Sequence, residues 1–322
     1  MITLPISRNA IIALAVFQIM VLAFGVLVSN NSYLMLLTAQ VLLFAAFVAA
    51  WNIIGGLAGQ LDLASSAYLA LGGIVTSLLW ITFDVPPIIG VFVGGLAAMS
   101  LAVVIGIPTF KFGVREVWYA LMTASLVVVL NNLFRYFMGP WDFYLPPRWG
   151  WLYLRPRTYF ELFLVIDAVL VLVVLVNIYI SNSKIGYYLR SIREDELASE
   201  AIGIDTRLYK LVALATYSFI TGAIGYLQIV IYSSFSYRLF DTGTSISIAI
   251  MGIIGGLGSI SGSIASAIMF RTLGEYLRSS FGGVFPGLDL LLYGTTLIVV
   301  GIVKPEGLAG LFNQVLKRWS RG

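Results

Sequence analysis

The apolar positions along this chain fall in long unbroken runs, without the three-to-four residue period of an amphipathic surface helix. Such runs cover residues 10–28, 33–54, 65–83, 88–108, 117–137, 159–181, 211–232, 260–280 and 286–303. Roughly twenty residues of helix, rising about 1.5 Å each, cross a hydrocarbon core about 30 Å thick. Polar turns separate the runs: Ser29-Asn30-Asn31-Ser32, then Asp84 with Pro86 and Pro87, then Lys111, Arg115 and Glu116. A loop rich in Pro, aromatics and Arg fills 139–157, and a polar turn fills 233–242. The pattern predicts an all-α polytopic membrane protein, one transmembrane domain over 1–322, with about eight to ten crossings. The first run follows one basic residue, Arg8, and precedes no small-residue cleavage site. It is expected as a retained span and not a signal peptide.

Two glycine-rich stretches interrupt this pattern. The second run passes into Gly55-Gly56-Leu57-Ala58-Gly59-Gln60-Leu61-Asp62, and the short run 245–254 passes into Gly255-Gly256-Leu257-Gly258-Ser259. Ile53-Ile54-Gly55-Gly56-Leu57 recurs as Ile253-Ile254-Gly255-Gly256-Leu257. Paired glycine-interrupted segments in two halves of a membrane protein point to a translocation site; chance repetition in so apolar a composition is the alternative. Both breaks are too polar to face lipid. The candidate pathway residues are therefore Gly55, Gly56, Gly59, Gln60, Asp62, Ser65, Gly255, Gly256 and Ser259. Asp62 either lines a water-filled path or caps the helix that starts near Ser65.

The other departure is the stretch 183–210, which holds ten of the 34 charged side chains. Residues 192–202 contain no Gly or Pro and predict one short helix, stopped by Gly203 and followed by Asp205 as cap of the next span. Leu197, Ala198, Ala201 and Ile202 fall on one side, with Arg193, Glu194, Asp195, Glu196 and Glu200 mostly elsewhere. Such a charged connector is either a solvated linker or a handle gripped by another protein, whose backbone the small Ala side chains admit and whose basic rim the acidic cluster meets.

Composition narrows the chemistry. The chain is 60% hydrophobic and 11% charged, against roughly 25% charged in soluble domains. It has no Cys and no His, which removes thiolate and imidazole catalysis, disulfides and the commonest metal ligands. No P-loop, HExxH or GxSxG elbow occurs. No catalytic residue, metal site or cofactor is expected, and the net charge of +4 suits anionic lipid and is no sign of nucleic acid. An ion-coupled transporter needs an embedded titratable group; Asp62, Asp167, and Glu275 flanked by Arg271 and Arg278 are the candidates. With 183–210 cytoplasmic, alternation places Arg8, Lys111, Arg115 and the basic tail 304–322 inside as well, a modest positive-inside bias. Trp80, Trp118, Trp141, Trp149 and Trp151 lie near span ends as an expected interfacial belt.

Ser191-Ile192-Arg193-Glu194-Asp195-Glu196 with Ala198, Gly203-Ile204 and Lys210 resembles the cytoplasmic loop of the branched-chain amino acid ABC importer permeases of LivM type. Gly59-Gln60-Leu61-Asp62-Leu63 resembles their Gly-Gln-x-Ser-Leu segment, and Gly255 to Ser259 with Gly262 their second glycine motif. Pro305-Glu306-Gly307-Leu308 and Gly310-Leu311 resemble their Pro-x-Gly-Leu-x-Gly ending. The motifs run in order from about Asn52 to Leu311. The resemblance implies that 1–322 is a permease domain and that the loop is a coupling helix, with Arg193, Glu194, Asp195, Glu196, Leu197, Ala198, Ala201 and Gly203 facing a separate ATP-binding cassette subunit. Leu197 and Ser199 depart from the general Glu-Ala-Ala-x-x-x-Gly motif. It also implies a second permease chain, homologous or identical, an extracytoplasmic substrate-binding protein, and the plasma membrane of a prokaryote. Asp62, Ala64 and Ser65 depart from the family's Ser and Gly-His, so urea, short amides or nucleosides stand beside branched-chain amino acids as the solute.

Overall fold

A computed structural model of the chain describes residues 8–114, 116–281, 287, 291, 294 and 295. Apart from those four positions, the expected last span, 286–303, lies outside the described residues, as do the tail 304–322 and Arg115. The rest is helical: α1 (Arg8–Val28), α2 (Ser32–Trp51), α3 (Ser65–Phe83), α4 (Pro87–Lys111), α5 (Glu116–Met138), α6 (Tyr159–Asn182), α7 (Lys184–Glu194), α8 (Glu196–Ala201), α9 (Thr206–Tyr232), α10 (Thr242–Gly255) and α11 (Ile260–Phe281). Six helical stretches among the described residues are long and apolar enough to cross a membrane: Ser32–Leu57, Ser65–Phe83, Pro87–Lys111, Val117–Met138, Tyr159–Asn182 and Thr206–Tyr232. The fold is an all-α polytopic membrane protein. At about 1.5 Å per residue α10 is only about 20 Å long, short of a full crossing.

Residues chosen for their capping chemistry start the helices. Asn31 accepts from the backbone N–H groups of Tyr33 and Leu34, Thr158 from Glu161, Asp205 from Leu208 and Asp241 from Thr244. Each satisfies an N–H that the first helical turn leaves open.

α2 lies at the centre and is buried without a break from Val41 to Trp51. α3, α4 and α9 pack around one seam of small residues. A Cβ on Gly72 would lie 2.2 Å from the Gly222 carbonyl oxygen, and one on Gly222 would meet Ala98 Cβ at 2.4 Å. Between membrane helices, where lipid is as apolar as any side chain, such close backbone approach supplies the attraction. α4 and α5 turn Phe92, Leu96, Val104, Val117 and Leu121 outward as lipid-facing surface.

At the end of the bundle away from α8, the loop after α5 forms a small cover. β1 (Phe143–Tyr144) pairs antiparallel with β2 (Ser234–Phe235). Arg155 donates to Pro146 O at 2.6 Å and Ser233 Oγ at 3.0 Å, and stacks 4.2 Å over Trp149. Burial lowers its pKa from the usual guanidinium value. Trp118, Trp141, Trp149 and Trp151 are exposed near helix ends, as a belt requires, but Trp80 is buried and stacks on Tyr153 at 5.1 Å. Its place at a span end is the same; the cover loop takes it out of lipid.

Two elements differ from the sequence expectation. The helix of α2 does not stop at Ile54 but continues as a wide π turn, Asn52–Leu57, that holds Gly55 and Gly56. The turn accommodates Trp51, whose indole lies where a Gly55 Cβ would be and donates to Asp62 O at 2.8 Å. The single helix expected over 192–202 is instead α7 and α8, jointed at an extended Asp195 (φ −156°, ψ 110°). Asp195 accepts from Ala198 N at 3.0 Å; an Asp serves a helix better as its cap than in its interior.

Candidate functional site

The charged stretch forms a handle clamped to one end of the bundle. Gly186 begins it in close contact with the Ile180 carbonyl, and Arg190 donates to Ser181 O at 2.6 Å. Leu189 and Ile192 bury the inner face of α7. Ser191 and Ser199 hydroxyls, 2.8 Å apart, tie α7 to α8. Lys210 on α9 reaches Glu196 at 2.6 Å with only 3% of its side chain exposed, while Thr206 donates to Glu200 at 2.6 Å. Gly203 stops α8 at φ +89°, a backbone that glycine adopts without strain, and Asp205 caps α9.

With the inner face used in this way, an apolar ridge is left outside. Leu197 is 65% and Ile202 75% exposed, flanked by exposed Ala198 and Ala201. Glu194 and Asp195 are exposed beside them, and Glu194 accepts from Arg193 at 2.8 Å. Two large aliphatic side chains in water beside a charged rim are the composition of a docking surface.

Arg193 connects this surface to the membrane interior. Its Nη1 donates to the Gly56 carbonyl at 2.7 Å and approaches the Leu257 carbonyl at 3.4 Å. Its aliphatic stem lies on Gly59, where a Cβ would meet Arg193 Cγ at 2.6 Å. One side chain of the handle thus touches both glycine breaks. The breaks also touch each other: Asn52 Oδ1 accepts from Gly258 N at 3.1 Å, and Asn52 Nδ2 donates to Asn177 Oδ1 at 3.2 Å. Asn177 in turn donates to Ala49 O. Gly255 packs on Gly262 with no room for a Cβ, Gly256 has φ +105°, and Ser259 accepts from Gly262 N at 3.2 Å.

From the breaks a line of buried polar groups runs toward the bundle centre. Gln60 is buried with its Oε1 unpartnered. Asp62 is fully buried and neither lines an open path nor caps α3, whose cap position is Ala64 without a side-chain bond. Its Oδ1 accepts from Ala64 N at 2.8 Å, and its Oδ2 from Tyr119 at 2.9 Å and Tyr68 at 3.4 Å. Ser65 and Tyr217 hydroxyls lie 2.5 Å apart, and Ser66 and Ser245 hydroxyls 2.7 Å apart. All of these groups are closed to solvent.

The remaining charged candidates are elsewhere. Asp167 on α6 accepts from Gln18 on α1. Glu275 lies 3.9 Å from Arg278, and Arg271 stacks 4.1 Å over the Phe44 ring. Sequence reasoning missed Asn52, Asn177, Tyr68, Tyr119, Tyr217 and Ser245. For Asn52, Asn177 and Ser245 the available signal was polarity inside otherwise apolar runs; the three tyrosines gave none.

The family described as "Branched-chain amino acid transport system / permease component" matches residues 32–301. The chain is similar to the high-affinity branched-chain amino acid transport system permease protein LivM of Escherichia coli (strain K12), 24% identical over 294 residues, covering 83% of this chain and 67% of that protein. It is also similar to the protein of the same description from Salmonella typhimurium, 24% identical over 153 residues, 46% of this chain and 35% of the other. No solved structure matches.

Proposed function

The chain belongs to the family of permease components of branched-chain amino acid transport systems, and on that premise we propose that it is the membrane subunit of an ATP-driven importer of branched-chain amino acids in a prokaryotic plasma membrane. It carries no ATPase of its own. ATP is hydrolysed by separate cassette subunits docked on the handle, a second permease chain completes the pathway, and an extracytoplasmic binding protein delivers the solute.

The observation that carries this reading is Arg193, which joins an exposed docking ridge to both glycine breaks. The ATPase grips Leu197, Ala198, Ala201 and Ile202, with Glu194 and Asp195 meeting a basic rim, while Glu196, expected on that rim, is turned inward to Lys210. Gly203 lets α8 end without strain before the chain turns back into α9. When the ATPase dimer closes on ATP, the handle moves, and Arg193 moves the Gly56 and Leu257 carbonyls with it. Gly55, Gly56, Gly59, Gln60, Asp62, Ser65, Gly255, Gly256 and Ser259 then part to pass the solute. Bare backbone at those glycines offers carbonyl and N–H groups to a polar solute where no side chain intervenes.

Purification of the intact protein in mild detergent from its own cells tests the docking. We expect a stoichiometric ATPase chain to co-purify, and Ala198→Arg, which sets a long cation on the ridge, to remove it. A stably inserted Ala198→Arg protein that keeps its ATPase would contradict the proposal.

A further inference from the structure

The end of the bundle away from the handle holds a cavity of about 420 Å³ between α2, α3, α9, α10 and the β2 turn. It is separated from the handle by the length of α9. α9 runs from Thr206 at the handle to Tyr232 at the cavity, about 40 Å at about 1.5 Å per residue. Its deep walls are mostly apolar: Phe44, Phe47 and Leu69 line it and are each buried, with buried Ser236 and half-buried Gln228 beside them. Its mouth is charged, with exposed Asp142 and Arg238 both on the lining. Arg238's pKa is raised, by hydrogen bonding to and the charge of Tyr237 first and by the Asp142 charge after them. The floor is shut. One turn of α3 before Leu69, Ser66 is bonded to Ser245 of α10, and the closed polar line toward Asp62 begins there.

A pocket near the lower end of the usual 300–1,000 Å³ range suits a small solute. A guanidinium takes a carboxylate, a carboxylate takes an ammonium, and an aromatic-aliphatic floor takes neither charge. Only a molecule with both charges at one end and an apolar group at the other uses all three features together. We propose that this cavity is where the solute first binds the permease, as an α-amino acid with its carboxylate toward Arg238, its ammonium toward Asp142 and its aliphatic side chain on Phe44, Phe47 and Leu69. The proposal rests on the importer reading for the direction of travel, but the cavity's chemistry stands apart from the ATPase.

The chain has no cysteine, so a single one reports the cavity. Ser234→Cys, a near-isosteric change on the lining, is labelled from the far side by a small membrane-impermeant methanethiosulfonate in the whole transporter reconstituted in proteoliposomes, read on this chain's own band. L-Leucine should slow the labelling severalfold. Isovalerate and isoamylamine, which keep the aliphatic chain but only one charge each, should not. Adding Arg238→Gln should abolish the protection. Thr244→Cys, also on the lining and still capped through its backbone N–H, serves if Ser234→Cys disturbs β2. The proposal falls if neither cysteine reacts, if L-leucine leaves both rates unchanged in a transporter that still imports it, or if the one-charge analogues protect equally. Protection by leucine in an assembly that imports no branched-chain amino acid would sink the importer reading instead and leave the cavity assignment standing.

Discussion

A carboxylate that accepts from two tyrosine hydroxyls and a backbone N–H has little left to offer a passing cation, and Asp62 is held in that way. The bonds are what permit the charge to be buried. Asp62→Asn keeps an acceptor for Ala64 N and a polar partner for Tyr119, so import of L-leucine should persist with a small loss of stability. Asp62→Ala strands the Ala64 N–H and both tyrosine hydroxyls, at about 1–3 kcal/mol for each buried group left unpaired. Thermal unfolding in detergent together with uptake separates the two. An Asp62→Asn protein that melts normally yet imports nothing would make the carboxylate a transport residue in its own right. The role of Asp62 was open in the sequence because two quite different sites, a water path and a helix cap, both place an Asp shortly before a helix. Its actual partners, Tyr68 and Tyr119, are polar only at the tip of an apolar side chain, and Tyr119 is distant along the chain. Hydropathy does not reveal them.

At the scale of elements, the spans were legible because lipid demands long apolar runs, and the ranges 65–83 and 159–181 are α3 and α6 almost residue for residue. The handle was legible as a charged helical segment with Gly203 as its stop, but not its joint. Residues 192–202 carry no Gly or Pro to mark a break; Asp195 makes one by capping α8, and tertiary contacts turn α8 onto α9, chiefly Glu196 with Lys210 and Thr206 with Glu200. Removing one partner of a buried ion pair leaves the other poorly solvated and costs up to about 3–5 kcal/mol. Lys210→Met should therefore loosen α8 from α9 while the bundle, packed along the Gly72–Gly222 seam, melts as before. Limited trypsin digestion reads this directly: cleavage at Arg193 and Arg207 should accelerate in Lys210→Met. An unchanged digestion pattern would mean that the pair does not hold the handle. That measurement is made on the isolated chain.

For the whole molecule, the internal echo between residues 53–57 and 253–257 has a spatial counterpart. Gly56 lies against Gly258, with Asn52 bonded across and Arg193 touching both sides. A repeat seen as a string of apolar and glycine residues is thus a contact in three dimensions. The side chain that joins it to the handle, Arg193, was marked in the sequence only as a residue facing the ATPase, with no sign that it reaches the breaks. The resulting chain of parts is ridge, Arg193, glycine breaks, closed polar line, and cavity at the far end. ATP-driven import through it requires that force on the ridge reach the breaks through Arg193, and coupled uptake measures that. In proteoliposomes holding the intact permease with its ATPase and binding protein, Arg193→Gln should keep the ATPase bound and hydrolysing. Its L-leucine uptake per ATP should fall roughly tenfold or more, as expected for losing charge-assisted bonds of about 1.5–3 kcal/mol. Arg193→Lys, which retains one charged donor for Gly56 O, should recover part of it. Uptake per ATP unchanged in Arg193→Gln, with the ATPase still docked, would contradict the account.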